Sequence, residues 1–167
     1  MTRMNKHLLF LFLFAIAASG CYSFKGISIP PDVTTFYVPV FEIRALNAPP
    51  SIGQQFSERL KDKIRNESRL VWNEEEPDVE FTGNIADFKV NPVAPQPGET
   101  VAINRLEIVV TVNFINHKDE KKNWKNNFTY FSDFGTDQNL LDVQEGLILV
   151  IYEQLVEDIF NKAFTDW

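Results

Sequence analysis

Cys21 is the one cysteine of the 167-residue chain, and its thiol is the side chain best suited to forming a covalent bond. A thiolate can join a disulfide, hold a metal, attack an electrophile or carry a thioether-linked lipid. With no second cysteine, an internal disulfide and a paired-thiolate metal site are excluded. His7 and His117 are the two histidines, and His117 lies in His-Lys-Asp-Glu-Lys-Lys (His117–Lys122), where a solvated imidazole is the simpler reading. No serine or cysteine nucleophile stands beside a plausible histidine base. The sequence contains no HExxH, no P-loop and no dinucleotide fingerprint. Glu74, Glu75 and Glu76 form an acidic triplet, but three adjacent carboxylates cannot all face one ion, so a solvated turn is expected. Catalysis is therefore not expected, nor is a metal or a dissociable cofactor.

The remaining cluster is basic. Lys118, Lys121, Lys122 and Lys125 gather around Trp124 in a chain with 16 Lys and Arg against 23 Asp and Glu. One reading is a tip charged for solubility, with Asp119 and Glu120 partly neutralising it. The other is a phosphate-binding surface, where lysine acts as a point charge and Trp124 as an amphipathic anchor at an interface.

The position of Cys21 decides among the roles of its thiol. Arg3 and Lys6 make a positive start, Leu8 to Ala18 is an apolar run, and Ala18-Ser19-Gly20-Cys21 follows. These are the three parts of a secretory signal, and the run is too short to span a bilayer, which takes about 20 apolar residues. The small residues before cysteine resemble a lipobox, with Ala18 where leucine is usual. Residues 1–20 are thus expected to be removed. Cys21 would become the first mature residue, carrying a diacylglycerol and an N-acyl chain as the only membrane anchor.

Losing Arg3 and Lys6 takes the net charge from −7 to −9. Such a domain would repel a phosphate backbone, so nucleic acid is not an expected partner. Residues 21–167 suffice for one hydrophobic core, which 44% hydrophobic residues make feasible. We read residues 21–33 as a lead and 34–167 as one folded domain.

The pattern within that domain alternates element types. Thr34–Phe41 is β-branched and aromatic and reads as a strand, with Pro39 near an end. After Pro49-Pro50, Ile52, Phe56, Leu60 and Ile64 recur every four residues, giving a helix that ends near Asn66. Ser51 and Gln54 have the spacing of a capping box. Leu70–Trp72 is a brief extended piece. In Asp78–Val90 the alternation of Val79, Phe81, Gly83 and Ile85 shifts phase to Phe88 and Val90, predicting a bulge near Ala86 and Asp87. Leu106, Ile108, Val110, Val112 and Phe114 share one face of the next strand. The charged tip follows, and then Trp124, Phe128, Tyr130 and Phe134 share a face. Ile148, Ile151, Tyr152, Leu155, Ile159 and Ala163 make the broad stripe of a closing helix, with Asp142 and Glu145 as a capping box. The order β-α-β-β-β-α predicts a two-layer α+β domain, with two amphipathic helices on a four-stranded mixed sheet.

This series, following a lipobox, resembles the LptE family, the lipoproteins that plug the LptD barrel in lipopolysaccharide export. The resemblance runs through Cys-Tyr-Ser-Phe-Lys-Gly-Ile-Ser-Ile-Pro (Cys21–Pro30), Thr35–Phe41, the Ser51–Ile64 helix, Asp78–Pro92 and Leu155–Trp167. It implies an outer-membrane lipoprotein facing the periplasm, an LptD-like β-barrel as partner and contact with lipopolysaccharide. The stretches comparable to basic, ligand-binding ones elsewhere in the family, Ala94–Pro97 and Asn126–Asn127, carry no charge here. The lysine cluster with Trp124 is the alternative contact. Tyr22 is not the aspartate that retains lipoproteins at some inner membranes, and Tyr22–Lys25 lacks an acidic export run, both of which favour the inner leaflet of the outer membrane. Two other readings stay open from the residues: a periplasmic lipid carrier, whose phenylalanines Phe56, Phe81, Phe114 and Phe128 would line a hollow core, and a pilot lipoprotein for another outer-membrane assembly.

Overall fold

A computed structural model describes residues 28–94 and 102–165; the signal peptide and the acylation site lie outside them. Among the described residues, six strands and two α-helices appear in the order β1 (Thr35–Tyr37), β2 (Glu42–Ile43), α1 (Ile52–Glu67), β3 (Val71–Trp72), β4 (Val79–Val93), β5 (Ile103–Asn116), β6 (Trp124–Gly135) and α2 (Leu140–Phe164). A 3-10 turn, Glu120–Lys122, sits between β5 and β6.

The long strands β4, β5 and β6 form an antiparallel meander. β1 joins β4 in parallel, and β3 extends the sheet beyond β1, giving the order β3-β1-β4-β5-β6. The sheet is mixed and two helices cover it, so the α+β class holds, but it has six strands where four were expected. The difference has two sources. Thr34–Phe41 does not run as one strand: Pro39 cannot donate to a ladder, so pairing with β4 stops after Tyr37 and resumes as β2 opposite Asn84 and Ile85. The brief piece at Leu70–Trp72 supplies β3, because the turn after α1 returns it beside β1. The phase shift in β4 is a register shift between Ile85 and Asp87. It moves the apolar set from Val79, Phe81 and Ile85 to Phe88 without taking the strand out of the ladder.

The inner face of the sheet is apolar to its centre. Leu106, Ile108, Val110 and Val112 have no exposure, and Phe36, Phe81 and Ile85 join them. α1 contributes Ile52, Phe56, Leu60 and Ile64, and α2 contributes Ile148, Ile151, Tyr152, Leu155 and Ile159. Rings meet edge to face through this layer: Phe41 against Phe56 at 4.9 Å, and Phe56 against Tyr152 at 5.0 Å. Phe81 meets Phe114 at 4.9 Å. The phenylalanines that could have lined a hollow carrier thus fill space against one another.

Both helix starts differ from the capping boxes expected. Ser51, at φ −86° and ψ −7°, is already helical and its side chain caps no amide; instead its hydroxyl accepts from Gln55 Nε2 at 3.1 Å. A capping residue needs extended backbone to swing its oxygen to the amides two and three residues on. α2 begins earlier than Asp142, because Asn139 is extended and its Oδ1 accepts from the Leu141 amide at 3.1 Å.

Candidate functional site: a lysine-bearing corner at the foot of the lead

Asn116 closes β5 with its side chain buried. Its Oδ1 accepts from the amides of Lys118 (2.9 Å) and Asp119 (2.8 Å), while its own amide donates to Asn123 Oδ1 at 2.6 Å. The two asparagines therefore build the hairpin from inside, and Asp119 caps the 3-10 turn that follows. Neither asparagine stands out in the sequence, since asparagine between charges reads simply as loop.

Asp78 opens β4 beside this hairpin. Its carboxylate accepts from the Thr34 amide (2.7 Å), the Thr34 hydroxyl (2.9 Å) and the Thr35 amide (3.0 Å). Lys118 Nζ stands 3.0 Å from its other oxygen. Partial burial alone would raise the carboxyl pKa, but these donors outweigh it and hold Asp78 well below its usual range. Lys118 is thus committed to Asp78. Trp124 is half-buried, stacked on Phe114 at 5.4 Å and 21°, and Lys162 Nζ lies 5.5 Å from its ring centre. Lys121, Lys122 and Lys125 are exposed.

A recess of about 190 Å³ opens here, floored by Val79, Phe114 and Phe164 and edged by Lys122, Trp124 and Lys162. The chain arriving from the N-terminal side passes along it: the Ser28 amide donates to the Phe164 carbonyl at 2.7 Å, and Arg69 Nη2 donates to the carbonyls of Ile29 and Pro30. Of the five residues singled out from the sequence, Lys122 and Trp124 edge this recess together with Lys162, while Lys121 and Lys125 are exposed without lining it, and Lys125 follows Trp124 on the strand and so points to the opposite face of the sheet. Lys118 faces Asp78 instead. Lys162 lies forty residues from the cluster, and only the packing of α2 on β6 brings it near.

The rest of the titratable chemistry is structural. His117 Nε2 lies 3.7 Å from Glu80. Asn73 Oδ1 accepts from the amides of Glu75 and Glu76, making the acidic triplet a turn. Buried Ser57 donates to the Gly53 carbonyl and accepts from the Phe41 amide, each at 2.9 Å. Burial pushes the Tyr152 phenol up, and the hydroxyl donates to the Ile52 carbonyl. Among the described residues no group of His, Cys, Asp and Glu is arranged to hold a metal ion, and no helix is long and apolar enough to cross a membrane.

A family model described as lipopolysaccharide-assembly, LptE, matches residues 33–163, and the chain belongs to that family. Its role is accordingly in lipopolysaccharide assembly as a non-enzymatic lipoprotein. Among solved structures, it resembles the minor lipoprotein of Acinetobacter baumannii (9% identity, TM-score 0.51, 78% of this chain and 92% of that one). It also resembles the uncharacterized lipoprotein B of Nitrosomonas europaea (15%, 0.51, 84% and 88%) and a hypothetical protein of Chlamydia trachomatis (8%, 0.52, 78% and 97%). At these identities the likeness shows the fold alone. No curated protein matches the chain.

Proposed function

We propose that the protein is an outer-membrane lipoprotein, acylated at Cys21 and facing the periplasm, that assembles with an LptD-like β-barrel and plugs it during lipopolysaccharide export. Residues 1–20 are the signal peptide, 21–33 the lead and 34–167 the plugging domain. The observation that carries this reading is the family match across residues 33–163. A solid core supports it, since a plug needs volume and no cavity. Leu141, Leu149 and Val150 are exposed on α2 and offer apolar contacts to a surrounding wall. Exposed Lys121, Lys122 and Lys125, with Trp124 between them, offer cations to phosphate-bearing lipopolysaccharide or to the partner, and Lys118, paired with Asp78, holds the hairpin that carries them.

Affinity purification of the native acylated protein from its own membranes tests the proposal. A large outer-membrane β-barrel is expected to co-purify at a fixed ratio. Recovery of the protein with no barrel would overturn the plug reading.

A further inference from the structure

We propose that β6 pairs with β6 of a second copy of this chain, antiparallel about a twofold axis at Thr129, joining the two sheets into one. The inference goes beyond the plug reading and does not depend on it.

The first observation is the state of the sheet edge. Among the described residues only β5 pairs with β6, so β6 closes the sheet on one side. Every second residue of such a strand turns its N–H and C=O away from its neighbour, which makes a template for another strand. Edges are commonly guarded by shortness, proline, a bulge or charge. At the other edge, β3 is two residues long. β6 has 12 residues and no proline, and its register with β5 runs unbroken from Trp124 to Gly135. Its charged residues are Lys125 and Asp133, near the two ends, and the stretch between them, Asn126–Ser132, carries no charge. An uncharged segment of this length, rich in aromatic residues and free of proline and glycine, is the kind that pairs with its own copy.

The second observation is the order of side chains along the strand. Trp-Lys-Asn-Asn-Phe-Thr-Tyr-Phe-Ser-Asp-Phe (Trp124–Phe134) reads nearly alike in both directions about Thr129, with the sign of charge inverted. With Thr129 opposite Thr129 of an antiparallel copy, Lys125 falls opposite Asp133, and the axis repeats the pair at the other end of the seam. Trp124 falls opposite Phe134, and Phe128 opposite Tyr130. Opposite charges and aromatic rings directly across two strands are both favourable pairs. A slide of two residues either way puts Lys125 opposite Phe131 or Gly135 and loses both ion pairs, while a slide of one turns every side chain to the wrong face. Lys125 is exposed. Asp133 is held in place by Arg105, whose Nε donates at 2.7 Å and Nη2 at 2.9 Å, and a carboxylate so bound keeps lone pairs for a lysine. Opposite residues share a face in this register, so the helices of both copies lie on the same side of the joined sheet.

The test uses the full chain, purified in detergent and free of other proteins. Analytical ultracentrifugation is expected to show a concentration-dependent dimer. Lys125→Glu sets like charges against each other at both ends of the seam and should weaken the dimer about tenfold. Asp133→Lys should do the same. Mixing these two variants restores opposite charges at every position, so the heterodimer should form in preference to either homodimer. Circular dichroism checks that both are folded. Thr129→Cys gives a second measurement that leaves the charges intact. The two Cα atoms would stand about 5 Å apart, within disulfide range, and mild oxidation should link them. Asn127→Cys, about 13 Å from its copy along the strands, should not link, and the wild-type chain run alongside accounts for Cys21. A chain that stays monomeric at every concentration would overturn the proposal. So would a dimer indifferent to both charge reversals, or one that links equally at 127 and 129. Barrel co-purification tests the plug separately, since no barrel is present in these measurements.

Discussion

Lys118 Nζ lies 3.0 Å from Asp78 Oδ1, tying the tip of the β5–β6 hairpin to the start of β4. The same carboxylate also receives two backbone amides and a hydroxyl from Thr34 and Thr35, just before β1. One side chain thereby joins three segments at the end of the sheet where the lead arrives.

The stability that Asp78 contributes should depend on pH in a definite direction. Its folded pKa lies below the ordinary 3.8, because the donors from Thr34, Lys118 and Thr35 overcome the opposing effect of burial. A depressed carboxyl stabilises the fold above the unfolded value and loses that contribution as pH falls through the folded one. Asp78→Asn should therefore cost about 1.5–3 kcal/mol at pH 7, the range for hydrogen bonds to charged groups. The deficit should shrink steadily below pH 3.8. Urea denaturation of both proteins between pH 2 and pH 7 measures it; a deficit constant with pH would refute the role.

Two glycines in helices should respond oppositely to alanine. At Gly53, near the start of α1, an added Cβ would overlap the Phe41 carbonyl oxygen, and Ile43 Cγ1 lies 3.3 Å away. The backbone atom cannot move aside cheaply, so Gly53→Ala should destabilise by about 1–3 kcal/mol. At Gly146 in α2 nothing lies within 4 Å, and alanine should stabilise by up to about 1 kcal/mol from helix propensity. Thermal melts of the two variants decide the matter, and shifts of the same sign would contradict the packing described.

Leu155 is fully buried where α2 lies on the sheet. Leu155→Ala should cost about 2–5 kcal/mol, the range for a buried leucine. Chemical denaturation giving a loss below about 0.5 kcal/mol would mean that the stripe does not face the core.

Cys21→Ser should abolish acylation, since a serine hydroxyl cannot form the thioether. Intact-mass measurement of the mature wild-type protein is expected to show the acyl chains on Cys21 and none on the variant. A wild-type mass without lipid would remove the anchor from the proposed function.

The two layers of the fold are legible in the apolar periods of the chain. Four-residue spacing from Ile52 to Ile64 and strict alternation from Leu106 to Phe114 each point one face inward, and both faces are buried. Even the bulge at Ile85–Asp87 shows as a break in phase. These features are local: each is written within a dozen neighbouring residues. The short strands were less legible, because β2 and β3, two residues each, have no period of their own and exist only through their partners β4 and β1.

The sequence by itself determined the amphipathic helices, the alternating strands, the lone thiol behind an apolar run and the excess of acid. It did so because hydrophobic period, helix-breaking prolines and residue counts are properties of the chain before it folds. The tertiary structure alone decided which lysines stand together. Lys118 is neutralised by Asp78 from forty positions earlier, while Lys162 arrives beside Trp124 from the far end of the chain. Charge pairing acts through distance in space, and that distance is fixed only when α2 and the strand β6 are packed against each other.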